Sequence, residues 1–148
     1  STMKVSLSFV FFAGIGLYSL LYQLLCIDLF QDGDDSVTTI AFSDNGYHLA
    51  TGHASAKVRF WDLRKQVIIA TMNGDGSLLQ SVSSITYDAS GKYAAFGGRG
   101  GLVVTTVKDW GTTLRIEVDH PLSGIGWTKR GIATCSEKEQ VISFYSSS

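Results

Sequence analysis

An all-β fold of repeated four-stranded blades is what this sequence predicts, on three observations. Gly46, Gly91 and Gly131, each between two apolar runs, stand 45 and 40 positions apart. The aromatics Phe42, Tyr87 and Trp127 keep the same two intervals of 45 and 40. Repeats of about 40–45 residues have the length of a four-stranded propeller blade. The composition agrees: 148 residues with one proline, sixteen glycines and 45% apolar content fit short β-branched and aromatic runs joined by glycine turns.

The elements follow in order. Ser36–Leu63 reads SVTTIAFSDNGYHLATGHASAKVRFWDL: two β-type runs flank a turn, and the stretch closes on Trp61-Asp62. That layout resembles one WD40 blade. Phe42, Tyr87 and Trp127 each end an innermost strand and are expected in the interior. Second strands are expected at Tyr47–Thr51, Tyr93–Phe96 and Ile132–Thr134, and third strands at Lys57–Trp61, Leu102–Val107 and Val141–Tyr145. Asn45-Gly46 and Ser90-Gly91 supply the positive φ that tight hairpins need. The blades are expected at about 36–75, 81–120 and 121–148, so residues 30–148 read as an incomplete WD40 β-propeller of about three blades. A ring closes with about four to eight. The expectation is therefore a fragment, or a truncated gene model, with raw blade faces and poor solubility.

Residues 1–29 do not fit the blades. Val5–Ile27 is 23 positions without a charge, preceded by Lys4 and followed by Asp28, Asp32, Asp34 and Asp35. As a helix it is about 34 Å long, enough to span a bilayer. The flanking charges then leave the blades outside the cytoplasm. A signal peptide fits the same pattern. So does a mis-spliced or strand-forming segment packed on the propeller, and the blades favour this last reading. Cys26 and Cys135 form no disulfide framework and no metal spacing.

Over residues 30–146 the phrases sharpen. AFSDNGYHLAT, VRFWDLRK, Ser84-Ile-Thr-Tyr-Asp88, Ser90-Gly-Lys-Tyr93, Phe96-Gly-Gly98, Lys108-Asp-Trp110 and Ile142-Ser-Phe-Tyr-Ser146 resemble the C-terminal blades of the pre-mRNA-processing factor 19 family. That family comprises spliceosomal U-box ubiquitin ligases of the nineteen complex. The resemblance implies a WD-repeat module for mRNA splicing and processing, in the nucleus, binding spliceosomal or ubiquitination partners and substrates. The transferase activity belongs to the parent family's U-box, and its oligomerisation to a coiled coil. This sequence shows no U-box-like segment and no sustained heptad run. The expectation is thus an interaction propeller that is not itself an enzyme. The alternative is a generic WD40 scaffold, tethered to a membrane by residues 5–27.

WD blades often lock themselves through a Trp, a Ser/Thr, a His and an Asp in one hydrogen-bonded chain. In the first blade Thr51 and Trp61 fit, Ser55 holds the expected Asp position, and Asp34 and Asp35 stand where a His is expected. That lock reads as partial. The second blade offers only Thr106 near the Trp position. In the third, His120, Thr134, Glu139 and Tyr145 fit best, with His120 structural. Lys57, Arg59, Arg64 and Lys65 place four cations around one strand end, a candidate contact for acidic protein or RNA phosphate, or a solvated edge. Gly97-Gly-Arg-Gly-Gly101 reads as a hairpin turn rather than an RNA-binding element. A net charge of −1 gives no general attraction to nucleic acid. His48 and His53 lack a second ligand at useful spacing. No nucleophile elbow, phosphate loop or paired acid–base carboxylates occur, so no catalytic residue and no cofactor is expected.

Overall fold

A computed structural model describes residues 35–73, 78–136 and 141–146. The apolar segment 5–27, Cys26, Asp34 and Glu139 lie outside the described residues, as do the expectations placed on them. The described residues form three antiparallel sheets and no helix.

The first sheet orders β1 (Val37–Phe42), β2 (His48–His53), β3 (Val58–Asp62) and β4 (Val67–Met72). The second repeats it with β5 (Ser84–Tyr87), β6 (Tyr93–Gly97), β7 (Gly101–Thr106) and β8 (Thr112–Glu117). The third has β9 (Gly124–Thr128), β10 (Gly131–Ser136) and β11 (Val141–Tyr145), with β11 at the edge. The first three strands of each blade stand where the glycine and aromatic spacing put them. The outer strands β4 and β8 had no sequence expectation. Val67–Met72 alternates exposed and half-buried residues, and Thr112–Glu117 is nearly all exposed, so neither carries a strong apolar signature.

The inner hairpins close as Asn45-Gly46 and Ser90-Gly91 require. Gly46 and Gly91 adopt φ of 73° and 71°. Each turn is also held by the residue before it. Asn45 Oδ1 accepts from Tyr47 N–H at 2.9 Å, and Asp88 Oδ1 accepts from Tyr93 N–H at 2.8 Å. The first is an Asx-type bond to the residue two positions on, and the second spans the hairpin from one strand end to the other.

Two cores lie between the sheets. Ala50, Val58 and Phe60 of the first blade meet Ile85, Tyr87, Ala94, Phe96 and Val103 of the second. Ala95, Leu102 and Val104 of the second meet Ile132 of the third, with Ile125, Trp127 and Tyr145 packed alongside. Successive side chains of a strand face opposite ways, so the second blade serves both cores. Close approach needs small residues: a Cβ on Gly52 would stand 2.6 Å from Val82 Cγ1 of the next repeat.

Of the three inner-strand aromatics only Tyr87 is fully interior. Phe42 and Trp127 are half-buried, which corrects the expectation for both. Trp127 reaches the second blade, where its Nε1–H donates to Thr86 O at 3.3 Å.

A repeated hydroxyl stitches the blades. Thr38 and Ser83, at the heads of β1 and β5, each donate within their own blade and across to the next. Thr38 reaches Gly52 O (3.1 Å) and Val82 O; Ser83 reaches Gly97 O (3.4 Å) and Leu122 O. Ser123 holds the same place in the third blade and donates to Cys135 O at 3.2 Å. The acceptor in each crossing is the residue just before the next hydroxyl.

Candidate functional site

The first blade carries a continuous polar chain. Trp61 Nε1–H donates to Thr51 Oγ1 at 3.1 Å, and Thr51 Oγ1 meets His53 Nε2 at 3.2 Å. His53 Nδ1 faces Asp35 Oδ2 at 3.7 Å. Asp35 in turn accepts from Ser55 Oγ at 2.6 Å and from Ser55 N–H at 3.2 Å, and pairs with Lys57 Nζ at 3.6 Å. Trp61, Thr51 and His53 are all at most 1% exposed. The strand pattern explains the grouping. Thr51 and His53 alternate onto the same face of β2, and Trp61 sits opposite Leu49, two residues before Thr51.

The partial reading of this lock is therefore corrected. The histidine comes from the end of β2 and the carboxylate from the segment before β1, the reverse of the expected placement. Ser55 occupies the anticipated aspartate position as a donor to Asp35.

The other two blades differ. Equivalent pairings (Leu49 with Trp61, Ala94 with Thr105, Ile132 with Tyr145) define matching positions. In the second blade Thr105, not Thr106, stands at the Trp61 position, and Phe96 and Gly98 stand at those of Thr51 and His53. Phe96 is 1% exposed in the core shared with the first blade. In the third blade Thr134 and Ser136 occupy the Thr51 and His53 positions. Both hydroxyls are buried without a hydrogen-bond partner among the described residues. His120 is engaged elsewhere, its Nδ1 3.0 Å from Asp119 Oδ1. Tyr145 packs on the apolar core between the second and third blades.

The four cations do not gather into one patch. Lys57 enters β3 and pairs with Asp35; Arg59 is buried, and desolvation lowers its pKa. Arg64 and Lys65 leave the opposite end of β3. Arg64 lies 4.2 Å from the Tyr47 ring centroid and 3.6 Å from Asp62 Oδ2. Asp62 organises that turn by accepting from Lys65 N–H (3.1 Å) and Arg64 N–H (2.9 Å); these bonds hold its carboxyl below the ordinary value.

Because all pairs are antiparallel, the turns β1–β2, β3–β4, β5–β6, β7–β8 and β9–β10 fall at one end of the blades. That end presents exposed Arg64, Lys65, Lys92, Lys108, Lys129 and Arg130. Its carboxylates are largely occupied. Asp62, Asp88 and Asp109 each accept backbone N–H groups of their own turns. Hydrogen bonding leaves their charge in place; with the exposed Asp44 they offset four of the six cations, and this end carries only a small positive excess on a chain of net charge −1. No sequence signal marked it, since its cations are scattered through four turns.

At the other end, Gly97–Gly101 forms the β6–β7 hairpin, as expected. Gly98 N–H donates to Gly101 O at 3.2 Å. A Cβ on Gly98 would sit 2.3 Å from Ser81 O and one on Gly100 1.8 Å from Leu78 O. The glycines thus serve close backbone packing. Among the described residues no three metal-ligating side chains converge, and no helix is long and apolar enough to cross a membrane.

Comparison with known proteins places this architecture. Residues 25–62 match the family described as WD domain, G-beta repeat. Pre-mRNA-processing factor 19 homolog 2 of Arabidopsis thaliana is 42% identical over 64 residues, covering 43% of this chain and 11% of the relative. Pre-mRNA-processing factor 19 of Oryza sativa subsp. japonica is 44% identical over 62 residues, covering 42% and 11%. The chain thus spans a small part of the length of these relatives. The crystal structure of the β-propeller domain of Cps50 (Swd1) from Myceliophteria thermophila superposes with a TM-score of 0.60 at 20% identity. It covers 66% of this chain and 30% of that one, and speaks to the fold alone. Three stacked sheets, a Trp61-Asp62 blade end and these matches together identify part of a WD40 β-propeller, similar in its repeats to pre-mRNA-processing factor 19.

Proposed function

We propose that this chain is a protein-interaction propeller segment of a pre-mRNA-splicing ubiquitin ligase of the factor 19 type. It acts in the nucleus, holding spliceosomal or ubiquitination partners while transfer chemistry resides in another domain. The observation that carries this reading is the 42–44% identity to the two plant factors. Rigid blades with loops clustered at their ends are suited to docking. The chain itself carries no transferase role in this reading.

Two experiments test it. Grafting residues 36–146 in place of their counterpart in the rice factor should preserve splicing in an extract depleted of that factor. A folded graft that fails to restore splicing overturns the reading. Ubiquitin discharge by the isolated chain should equal the no-enzyme control. A generic WD40 scaffold remains the second reading, motivated by the uncharged run Val5–Ile27. Recovery of the chain with membranes after carbonate washing favours it.

A further inference from the structure

The β1–β2 turn carries the pair Asn45-Gly46 at an exposed hairpin tip, and its equivalent one blade later carries Ser90-Gly91. The two backbones match. Gly46 and Gly91 adopt φ of 73° and 71°, and their N–H groups donate to Ser43 O at 2.9 Å and Asp88 O at 3.0 Å. The side chain before the glycine is different. Asn45 carries a carboxamide carbon, an electrophile that closes a five-membered ring when the Gly46 nitrogen bonds to it. Ser90 carries no such carbon. A Cβ on Gly46 would meet nothing within 4 Å, so no neighbour crowds that ring.

The contacts of the Asn45 amide fix its orientation. Tyr47 N–H donates to Oδ1 at 2.9 Å, so the amide oxygen faces the turn. Ser43 Oγ lies 2.7 Å from the same oxygen, and because a carbonyl oxygen only accepts, the hydroxyl donates. His48 N–H donates to Ser43 Oγ at 3.1 Å, which leaves the hydroxyl proton for Oδ1; the other acceptor within reach, His48 O, is farther at 3.3 Å. Two donors thus converge on the oxygen that turns negative when a nucleophile adds to Cγ.

We propose that Asn45 is a site of spontaneous deamidation, promoted by Ser43. The Gly46 N–H gives up its bond to Ser43 O and loses its proton to hydroxide, and the nitrogen bonds to Asn45 Cγ. Charge collects on Oδ1 between Ser43 Oγ–H and Tyr47 N–H. The Cγ–Nδ2 bond then breaks, and ammonia leaves with a proton taken from water, which restores the hydroxide. Water opens the succinimide at either carbonyl, giving aspartate or isoaspartate. Isoaspartate runs the main chain through Cγ and lengthens the turn by one atom. Leu63 N–H donates to Tyr47 O at 2.8 Å, and Arg64 lies 4.2 Å from the Tyr47 ring centroid, so the change is passed on to the β3–β4 turn. Either product adds a negative charge at the end of the blades where the cations are in small excess. The chain's other such pair is Asn73-Gly74; Gly74 lies outside the described residues, and the assignment concerns Asn45 alone.

The test holds the full chain folded at mildly alkaline pH beside a sample in urea, with digestion at intervals. Mass spectrometry of the peptide spanning Asn45 reads the gain of one mass unit. A protein isoaspartyl methyltransferase with labelled S-adenosylmethionine marks the isoaspartate in that peptide. The folded chain should accumulate both signals, faster as hydroxide rises. Ser43→Ala should slow the folded reaction roughly threefold or more and leave the rate in urea unchanged. Ser43→Thr, which keeps the hydroxyl, should keep the wild-type rate. An Asn45 peptide that stays intact in the folded chain while it converts in urea overturns the assignment, and this time course decides the matter whether or not the variants fold. A folded Ser43→Ala that reacts as fast as the wild type, or faster, overturns it too, since turn opening alone would then set the rate.

Discussion

Where the first blade holds Trp61, Thr51 and His53, the second holds Thr105, Phe96 and Gly98. The first set forms a hydrogen-bonded chain ending on Asp35. The second replaces it with rings: Phe96 lies in the core that also holds Phe60 and Tyr87, and Trp110 covers Phe60. The exchange is forced in part by space. A Cβ at Gly98 would stand 2.3 Å from Ser81 O, so no histidine fits where the first blade keeps one. The polar lock gives direction and the apolar one gives area. The difference teaches that a blade needs its loops pinned to its strands but not by one particular chemistry. A buried polar chain is worth having only if every member is satisfied. The third blade shows the unsatisfied case, with Thr134 and Ser136 hydroxyls buried and lacking partners among the described residues.

The largest test of this contrast is truncation. Trp61→Ala and Phe96→Ala should each cost about 3–5 kcal/mol in urea unfolding, since both side chains are fully buried. A cost under about 1 kcal/mol for either would show that its blade is held by something else. Next comes the polar chain alone. Trp61→Phe keeps most of the ring but removes the donor to Thr51, and should cost about 1–3 kcal/mol. Thr105→Val, which loses the hydroxyl's bonds to Gly111 O at 3.1 Å and Thr106 O at 3.4 Å, both within its own turn, should cost less, about 0.5–1.5 kcal/mol. Equal costs would erase the distinction between the blades.

Tyr87 sharpens the contrast in the opposite direction. Its phenol is buried without a hydrogen-bond partner among the described residues, and burial pushes its pKa well above the ordinary value. Tyr87→Phe should therefore stabilise the second blade, by about 1 kcal/mol, as a rise in the urea midpoint. Destabilisation would mean that the hydroxyl has a partner.

The smallest effect is electrostatic. Asp62 and Asp109 occupy equivalent outer turns, and both have depressed pKa values. Backbone bonding from Lys65 is the main cause at Asp62, and the Thr106 hydroxyl at Asp109. Folded values below the unfolded 3.8 mean that their stabilisation is present above that pH and lost as pH falls through the folded values. Asp62→Asn and Asp109→Asn should each flatten the acid limb of the stability profile below that point. A limb unchanged in both variants would remove the turns from the account.

Much of this was legible in the residues. Gly46, Gly91 and the spaced aromatics located nine of the eleven strands, because turn glycines and period-two burial leave marks on local sequence. The outer strands β4 and β8 left none, since their side chains are mostly exposed and their pairing is decided by β3 and β7. The lock was legible at Thr51 and Trp61 but misread at His53 and Asp35. Each lies near a chain reversal, and which one carries the ring is fixed by tertiary approach. The stitching hydroxyls Thr38, Ser83 and Ser123 share the 45- and 40-residue spacing, a signal present in the sequence and missed there.

Those stitches bear on how such a chain tolerates change in length. Thr38 and Ser83 reach the same relative carbonyl of the following repeat, although the first repeat is five residues longer than the second. The stitch measures from the head of one inner strand to the head of the next and ignores the path between. Residues added or deleted in the links after the third strand are therefore invisible to it. Evolution can lengthen those links, and an engineer can insert a tag or a reporter there, without shifting one blade against another.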